Sequence, residues 1–154
     1  CLLDHVPLPK SNLHPVPTEQ SHADGAAERY ASELQQSIPA SLAEIPQLDL
    51  IMLGMGDDGH TASLFPDTAI LTERDKTVAA VYVDKLASWR VSMTYPVLNA
   101  ARNIMFIVTG ENKAAILQHV LAQNSQPLYP VQGVQSQGDM AWFLDQAAAK
   151  LLTT

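Results

Sequence analysis

Five apolar segments along the chain have the length of β-strands. Residues 48–55 are almost continuously apolar and contain Gly54 near their end, which is typical of a parallel strand covered on both faces, and we expect a central strand there. The other segments are residues 78–83, 91–95, 104–109 and 140–145. Most of them are rich in β-branched residues or alternate apolar with polar positions, so we predict a sheet built from these segments.

Three further segments have apolar residues at helical spacing. In residues 21–37 the apolar positions recur every three or four residues, with Ser21 as the expected N-cap and Asp24 in the first turn. Residues 113–123 have the pattern of an amphipathic helix, and the alanine-rich residues 146–152 predict a helix after the last strand.

The remaining segments are predicted to connect the strands and helices. Residues 7–17 contain four prolines, which favour an extended chain, and residues 123–138 predict a loop. Strands that alternate with helices favour an α/β fold: a mostly parallel sheet with helices on both faces, in a Rossmann-like three-layer architecture. We expect residues 1–154 to form a single domain.

The charge of the chain restricts its partners. Its formal net charge is −7, which argues against nonspecific binding to nucleic acid, because that requires a surplus of Lys and Arg against phosphates. No apolar run approaches the roughly 18 residues that a membrane crossing needs. An anionic ligand must therefore be bound locally, by a few cations and backbone N–H groups.

The first residues and the single cysteine bear on the cellular setting. Cys1 has no second cysteine with which to form an internal disulfide, and no Cys/His cluster suggests a structural metal site, so we expect a cytoplasmic protein. The chain begins with neither methionine nor a signal peptide. We expect it to be a fragment that lacks its N-terminal part.

A glycine-rich turn follows the strand predicted at residues 48–55. In open α/β sheets ligands bind beyond the carboxyl ends of the strands, where Gly54, Gly56 and Gly59 allow close backbone approach to an anion or a developing oxyanion. Asp58 and His60 add a carboxylate and an imidazole, which suit a general base and the group that orients it. From these residues alone, a simple loop closure with a solvated or hydrogen-bonded histidine is the favoured interpretation.

The longer stretch of sequence around this turn decides between the two interpretations. Residues 53–66, LGMGDDGHTASLFP, closely resemble the signature of the 6-phosphogluconolactonase family. Later blocks are similar to that family in order and spacing: RVSMT at residues 90–94, TGENK at residues 109–113 and WFLD at residues 142–145. The resemblance implies hydrolysis of 6-phospho-D-glucono-1,5-lactone to 6-phosphogluconate in the oxidative pentose phosphate pathway, without metal or organic cofactor. It also implies that His60 activates water, and that the fold is the one shared with sugar-phosphate isomerases and deaminases.

Arg90 and Lys113 are the candidate phosphate ligands. Lys113 falls in a predicted first helical turn, where the helix dipole disfavours a cation, so it either faces solvent or is offset by an anion. The resemblance to the family favours the second interpretation, in which a bound anion offsets the charge of Lys113. Arg90 precedes a strand and is by position a rim residue, but the family block implies phosphate contact. Thr61 and Ser63 are expected either to cap a helix or to donate hydrogen bonds to the substrate. Trp142 and Phe143 are expected in the hydrophobic core.

Two rival functions share this fold. An amino-sugar-phosphate deaminase resembles the chain up to His60 but has a glutamate five residues later, where this chain has Phe65. A noncatalytic sugar-phosphate sensor would keep the cations and lose the base, whereas Asp58 and His60 are present. The family's N-terminal third has no counterpart in the sequence, so we expect the C-terminal two thirds of such a domain. The sequence leaves the oligomeric state open.

Overall fold

The computed structural model describes residues 5–40, 44–122 and 129–152. In chain order the regular elements of these residues are α1 (Ala23–Ser37), β1 (Ile51–Leu53), β2 (Val78–Val83), β3 (Ser88–Met93), α2 (Tyr95–Ala100), β4 (Ile104–Val108), α3 (Ala114–Leu121) and β5 (Met140–Leu144). Short 3₁₀ turns separate several of them.

The main sheet is parallel, in the order β1-β4-β5. Its register places Leu53 opposite Phe106, and Phe106 opposite Trp142. The rings of Phe106 and Trp142 stack with centroids 4.1 Å apart, and Phe106 is fully buried. The predicted α/β class with a mostly parallel sheet is confirmed.

Strands β2 and β3 form a separate antiparallel hairpin that pairs Val78 with Met93 and Val83 with Ser88. The 3₁₀ turn Asp84–Leu86 and Ala87, at a φ of 45°, connect them. Parallel strands need a crossover connection of about a dozen residues or more. This connection is much shorter, so the two strands must be antiparallel. Helix α1 packs on this hairpin through a cluster that contains Ala27, Leu34 and Val78.

Strand β1 differs from its prediction in length and place. It covers only Ile51–Leu53, and within the described residues it is an edge strand, with β4 in the centre. The prediction of a central strand at residues 48–55 was therefore wrong for this part of the fold. Leu50 and Met52 are 47% and 64% exposed, because an apolar run reports hydrophobicity but not which neighbours cover it.

The helices at residues 21–37 and 113–123 are confirmed as α1 and α3, with shorter bounds. The N-cap of α1 is His22 rather than Ser21, and its side chain makes no capping bond.

The prediction of a helix at residues 146–152 was wrong. These residues form successive turns closed by N–H donation from Ala149 to the Asp145 carbonyl and from Leu152 to the Ala149 carbonyl. The alanine-rich sequence favours helix, but its hydrogen bonds do not continue as a regular series. The loop predicted at residues 123–138 lies partly outside the described residues, and Pro130–Gly133 within it is a 3₁₀ turn.

One face of the parallel sheet is open in the described residues. Met52, Ile107 and Phe143 lie on that face and are 64%, 47% and 53% exposed. The expectation that Phe143 is a core residue was therefore wrong, because strand alternation turns it away from the core, on which its partly buried neighbours Trp142 and Leu144 pack. No helix in this part of the chain is long and apolar enough to span a membrane.

Candidate active site

The carboxyl ends of the parallel strands bring three polar segments to one edge of the sheet. The glycine turn follows β1 at Gly54, Gly110 follows β4, and Asp145 follows β5. The Asp145 carboxylate accepts the N–H of Gly110 at 3.0 and 3.1 Å and that of Ala148 at 2.7 Å. This contact holds the ends of β4 and β5 together beside the turn.

The glycine turn is closed by its own backbone and leaves little room for side chains. Gly56 donates its N–H to the His60 carbonyl at 2.8 Å, and Gly59 has a φ of 74°, which favours glycine. A Cβ on Gly56 would lie 2.0 Å from Nδ1 of His60, and one on Gly59 would lie 2.8 Å from Tyr129. Gly59 is thus required by the backbone conformation of the turn, whereas Gly56 is required by the position of the His60 and Asp58 side chains.

Asp58 and His60 form a hydrogen-bonded pair. Nδ1 of His60 lies 2.5 Å from Oδ1 of Asp58, which also accepts the His60 backbone N–H at 3.2 Å. The imidazole stacks on the Phe65 ring with centroids 3.9 Å apart and an interplanar angle of 22°. With a proton on Nδ1 donated to the carboxylate, Nε2 carries the lone pair and makes no hydrogen bond to the described residues.

The Asp58 carboxylate is ionised well into the acid range. Partial burial alone would raise its pKa, but hydrogen bonds from the His60 side chain, the Lys85 ammonium and the His60 backbone N–H outweigh it and lower the pKa to about 2. Asp58 therefore acts as a hydrogen-bond acceptor for the imidazole at neutral pH.

Lys85 reaches the turn from the β2–β3 hairpin. Its Nζ lies 3.0 Å from Oδ1 of Asp57 and 3.0 Å from Oδ2 of Asp58. These contacts raise the pKa of Lys85, and the hydrogen bond from Lys85 lowers the pKa of Asp57. No sequence pattern indicates a role for Lys85, since it lies 27 residues from Asp58 along the chain.

A cavity of about 490 Å³ opens beside the imidazole. His60 and Lys113 both line it, together with backbone and side chains of residues 52–56, Thr61 and Ala62. Ala62 has a φ of 49°, a left-handed conformation that costs a non-glycine residue about 1 kcal/mol or more. The cavity is therefore lined by an imidazole, an ammonium group and a constrained stretch of backbone.

The other predicted site residues lie outside this cavity or are engaged elsewhere. Arg90 is exposed on β3 and does not line the cavity. The buried Thr61 hydroxyl donates to the Gly54 carbonyl at 2.8 Å, and Ser63 donates its N–H to Oγ of Ser92 at 3.1 Å. Both bonds hold the loop, and neither of them is the helix cap that was the plainer of the two expected roles.

Known proteins are similar to this chain over nearly its whole length. A 6-phosphogluconolactonase from Homo sapiens is 45% identical over 99% of this chain and 58% of its own length. One from Nostoc is 41% identical over 98% of this chain and 62% of its own. The crystal structure of devB protein superposes with a TM-score of 0.88 at 32% identity, over 98% of this chain and 63% of that chain.

The chain thus spans about 60% of the length of the proteins it resembles. The family described as glucosamine-6-phosphate isomerases/6-phosphogluconolactonase matches residues 1–142. With so much of its length matched, and with relatives that agree with it in sequence and in fold, the chain belongs to the glucosamine-6-phosphate isomerase/6-phosphogluconolactonase family.

Proposed function

We propose that the protein containing this chain hydrolyses 6-phospho-D-glucono-1,5-lactone to 6-phosphogluconate, a step of the oxidative pentose phosphate pathway. The observation that carries the proposal is the Asp58–His60 pair at the edge of a cavity that Lys113 also lines. The relatives named 6-phosphogluconolactonase support the choice of substrate.

In this mechanism Nε2 of His60 takes a proton from water, and the resulting hydroxide attacks the lactone carbonyl carbon. The tetrahedral intermediate expels the ring oxygen, which receives the proton from the imidazolium, so the base is regenerated. Asp58 holds the imidazole with Nδ1 protonated throughout. The reaction needs water and no redox or group-transfer cofactor.

The remaining residues bind the substrate in this proposal. Lys113 contacts the phosphate as a point charge, and Arg90 supplies a second cation from the hairpin. Gly54, Gly56 and Gly59 let the sugar approach the backbone closely. The net charge of −7 argues against a nucleic-acid partner, so a small anionic ligand must be held by such local cations. In this proposal the enzyme is cytoplasmic and has no membrane partner.

Phe65 argues against the deaminase alternative. It is buried and stacks directly on the His60 ring, at the position where ring opening by a deaminase would need a carboxylate. An apolar ring there supplies no acid, so it supports the lactonase. The sensor alternative is disfavoured by the Asp58–His60 pair, which binding alone does not need.

We also propose that the chain is the C-terminal two thirds of a longer domain. The relatives are longer, and the open sheet face with Met52, Ile107 and Phe143 is an apolar surface that the rest of such a domain would cover. Whether residues 1–154 catalyse the reaction by themselves depends on substrate contacts made by that remaining part.

The test is hydrolysis of freshly prepared 6-phosphogluconolactone by the full-length protein, measured against the spontaneous rate. Glucosamine 6-phosphate is assayed in parallel for release of ammonia. Acceleration of lactone hydrolysis alone supports the proposal. Ammonia release would identify a deaminase, and binding without turnover of either substrate would identify a sensor.

A further inference from the structure

The hairpin turn that carries Lys85 is joined to the catalytic turn by charge. Lys85 lies in the 3₁₀ turn Asp84–Leu86, which belongs to the β2–β3 hairpin and not to the parallel sheet. Its ammonium nonetheless bridges Asp57 and Asp58, at 3.0 Å from one oxygen of each. Two sheets therefore meet at the carboxylate that holds His60.

The geometry of the Asp58 carboxylate explains what this bridge does. Its Oδ1 accepts Nδ1 and the backbone N–H of His60, and its Oδ2 accepts the Lys85 ammonium. The terminal torsion of an aspartate is broad, so a carboxylate held at one oxygen can still turn about it. Because Lys85 holds the second oxygen, the plane of the carboxylate is defined, and with it the orientation of the imidazole.

Stability is a poor explanation of the contact. The side chains of Lys85 and Asp57 are 55% and 63% exposed, and ion pairs between such exposed groups contribute about 0–1 kcal/mol. The Asp58 side chain is different, since it is only 24% exposed and carries the hydrogen bond to His60. The titratable groups that act on these two carboxylates are Lys85 from the hairpin, His60 from the turn and the more remote Lys113 that precedes α3, while Asp58 also acts on Asp57 by charge repulsion.

We infer that Lys85 is a positioning residue: it fixes the Asp58 carboxylate and, through it, the His60 imidazole, with Nδ1 committed to Asp58 and Nε2 left as the base. This role rests on the proposed hydrolysis. Lys85 itself does not line the cavity, so it is expected to act through Asp58 and not through contact with substrate.

The first test measures the contact between Lys85 and Asp58 without any activity, in the full-length protein. Lys85→Met keeps the length of the side chain and removes the charge, Lys85→Arg keeps the charge, and Lys150→Met removes a cation that pairs with the exposed Glu111. Carboxyl-carbon NMR titration of Asp58 is expected to show its pKa rising by about 1 pH unit in Lys85→Met and staying low in the other two variants. An unchanged Asp58 titration in Lys85→Met would overturn the inference.

The second test uses steady-state kinetics of the full-length protein. Lys85→Met is expected to lower kcat by about tenfold or more with KM within about twofold, because loss of orientation affects the proton transfer and not the binding. Lys85→Arg should recover most of kcat. A raised KM with unchanged kcat would make Lys85 a substrate ligand and refute the positioning role. If the wild-type protein does not hydrolyse the lactone, the proposed function fails, while the Asp58 titration still decides whether Lys85 holds that carboxylate.

Discussion

Replacing Gly56 by alanine tests the catalytic turn with one methyl group. The new Cβ would lie 2.0 Å from Nδ1 and 2.1 Å from Cε1 of His60, and 2.8 Å from Oδ1 of Asp58. Ordinary contact needs about 3.5 Å, so the imidazole must retreat by roughly 1.5 Å. A 2.5 Å hydrogen bond to Asp58 does not survive such a shift. A misplacement of about 1 Å costs on the order of 100-fold in rate, so we expect kcat to fall by about that factor.

The same substitution should leave the fold intact. Gly56 does not need a left-handed backbone, and the atoms that the methyl group meets are the ends of two side chains, which can move. Gly25→Ala is the matched control, since its Cβ would meet only Oε1 of Gln20 at 4.0 Å in α1.

The assay is lactone hydrolysis by the full-length variants, with circular dichroism and an amide NMR spectrum to verify folding. Gly25→Ala should retain wild-type activity. If a folded Gly56→Ala protein hydrolyses the lactone within about threefold of the wild-type rate, the argued geometry of the Asp58–His60 pair is refuted.

Three further predictions follow from the same site. His60→Ala should lower lactone hydrolysis by about 100-fold or more, the usual scale for loss of a general base, and wild-type-like turnover would contradict the mechanism. Lys113→Ala and Arg90→Ala should mainly raise KM, whereas Lys150→Ala should not, and an unchanged KM in either of the first two removes that residue from the phosphate site. Because the folded pKa of Asp58 is about 2, below its ordinary value of 3.8, its ionised form stabilises the fold above pH 3.8 and this contribution is lost as pH falls toward 2. Urea unfolding of wild type and Asp58→Asn at several pH values should show their stability difference shrinking only in that acid range; a difference that stays constant down to pH 2 would contradict it.

Structural features that depend on residues close together in the sequence were predicted well. Asp58 and His60 are two positions apart on the turn that Gly56 and Gly59 shape, so their side chains lie within hydrogen-bonding reach of each other. Helix α1 was predicted for a similar reason, because its apolar spacing reports a local periodicity. In both cases the determining interactions lie within a few residues.

The order and coverage of the strands were not predictable in this way. The apolar run at residues 48–55 indicated a strand, but its place at the edge of β1-β4-β5 depends on which other strands pair with it. The same limitation applies to Phe143, whose apolar side chain faces outward on the open sheet face. Hydrophobicity gives the tendency to be buried, whereas packing partners decide whether burial occurs.

The division between sequence and tertiary structure is clearest around His60. By itself the sequence determined the turn, the imidazole of His60 and its carboxylate partner Asp58, since these are short-range features of one glycine-rich segment. Only the tertiary structure placed Lys85 on Asp58 and Lys113 beside the cavity, and left Arg90 outside it. The physical reason is that contacts between distant residues are set by the pairing of strands and the packing of the hairpin, which no local pattern of residues specifies.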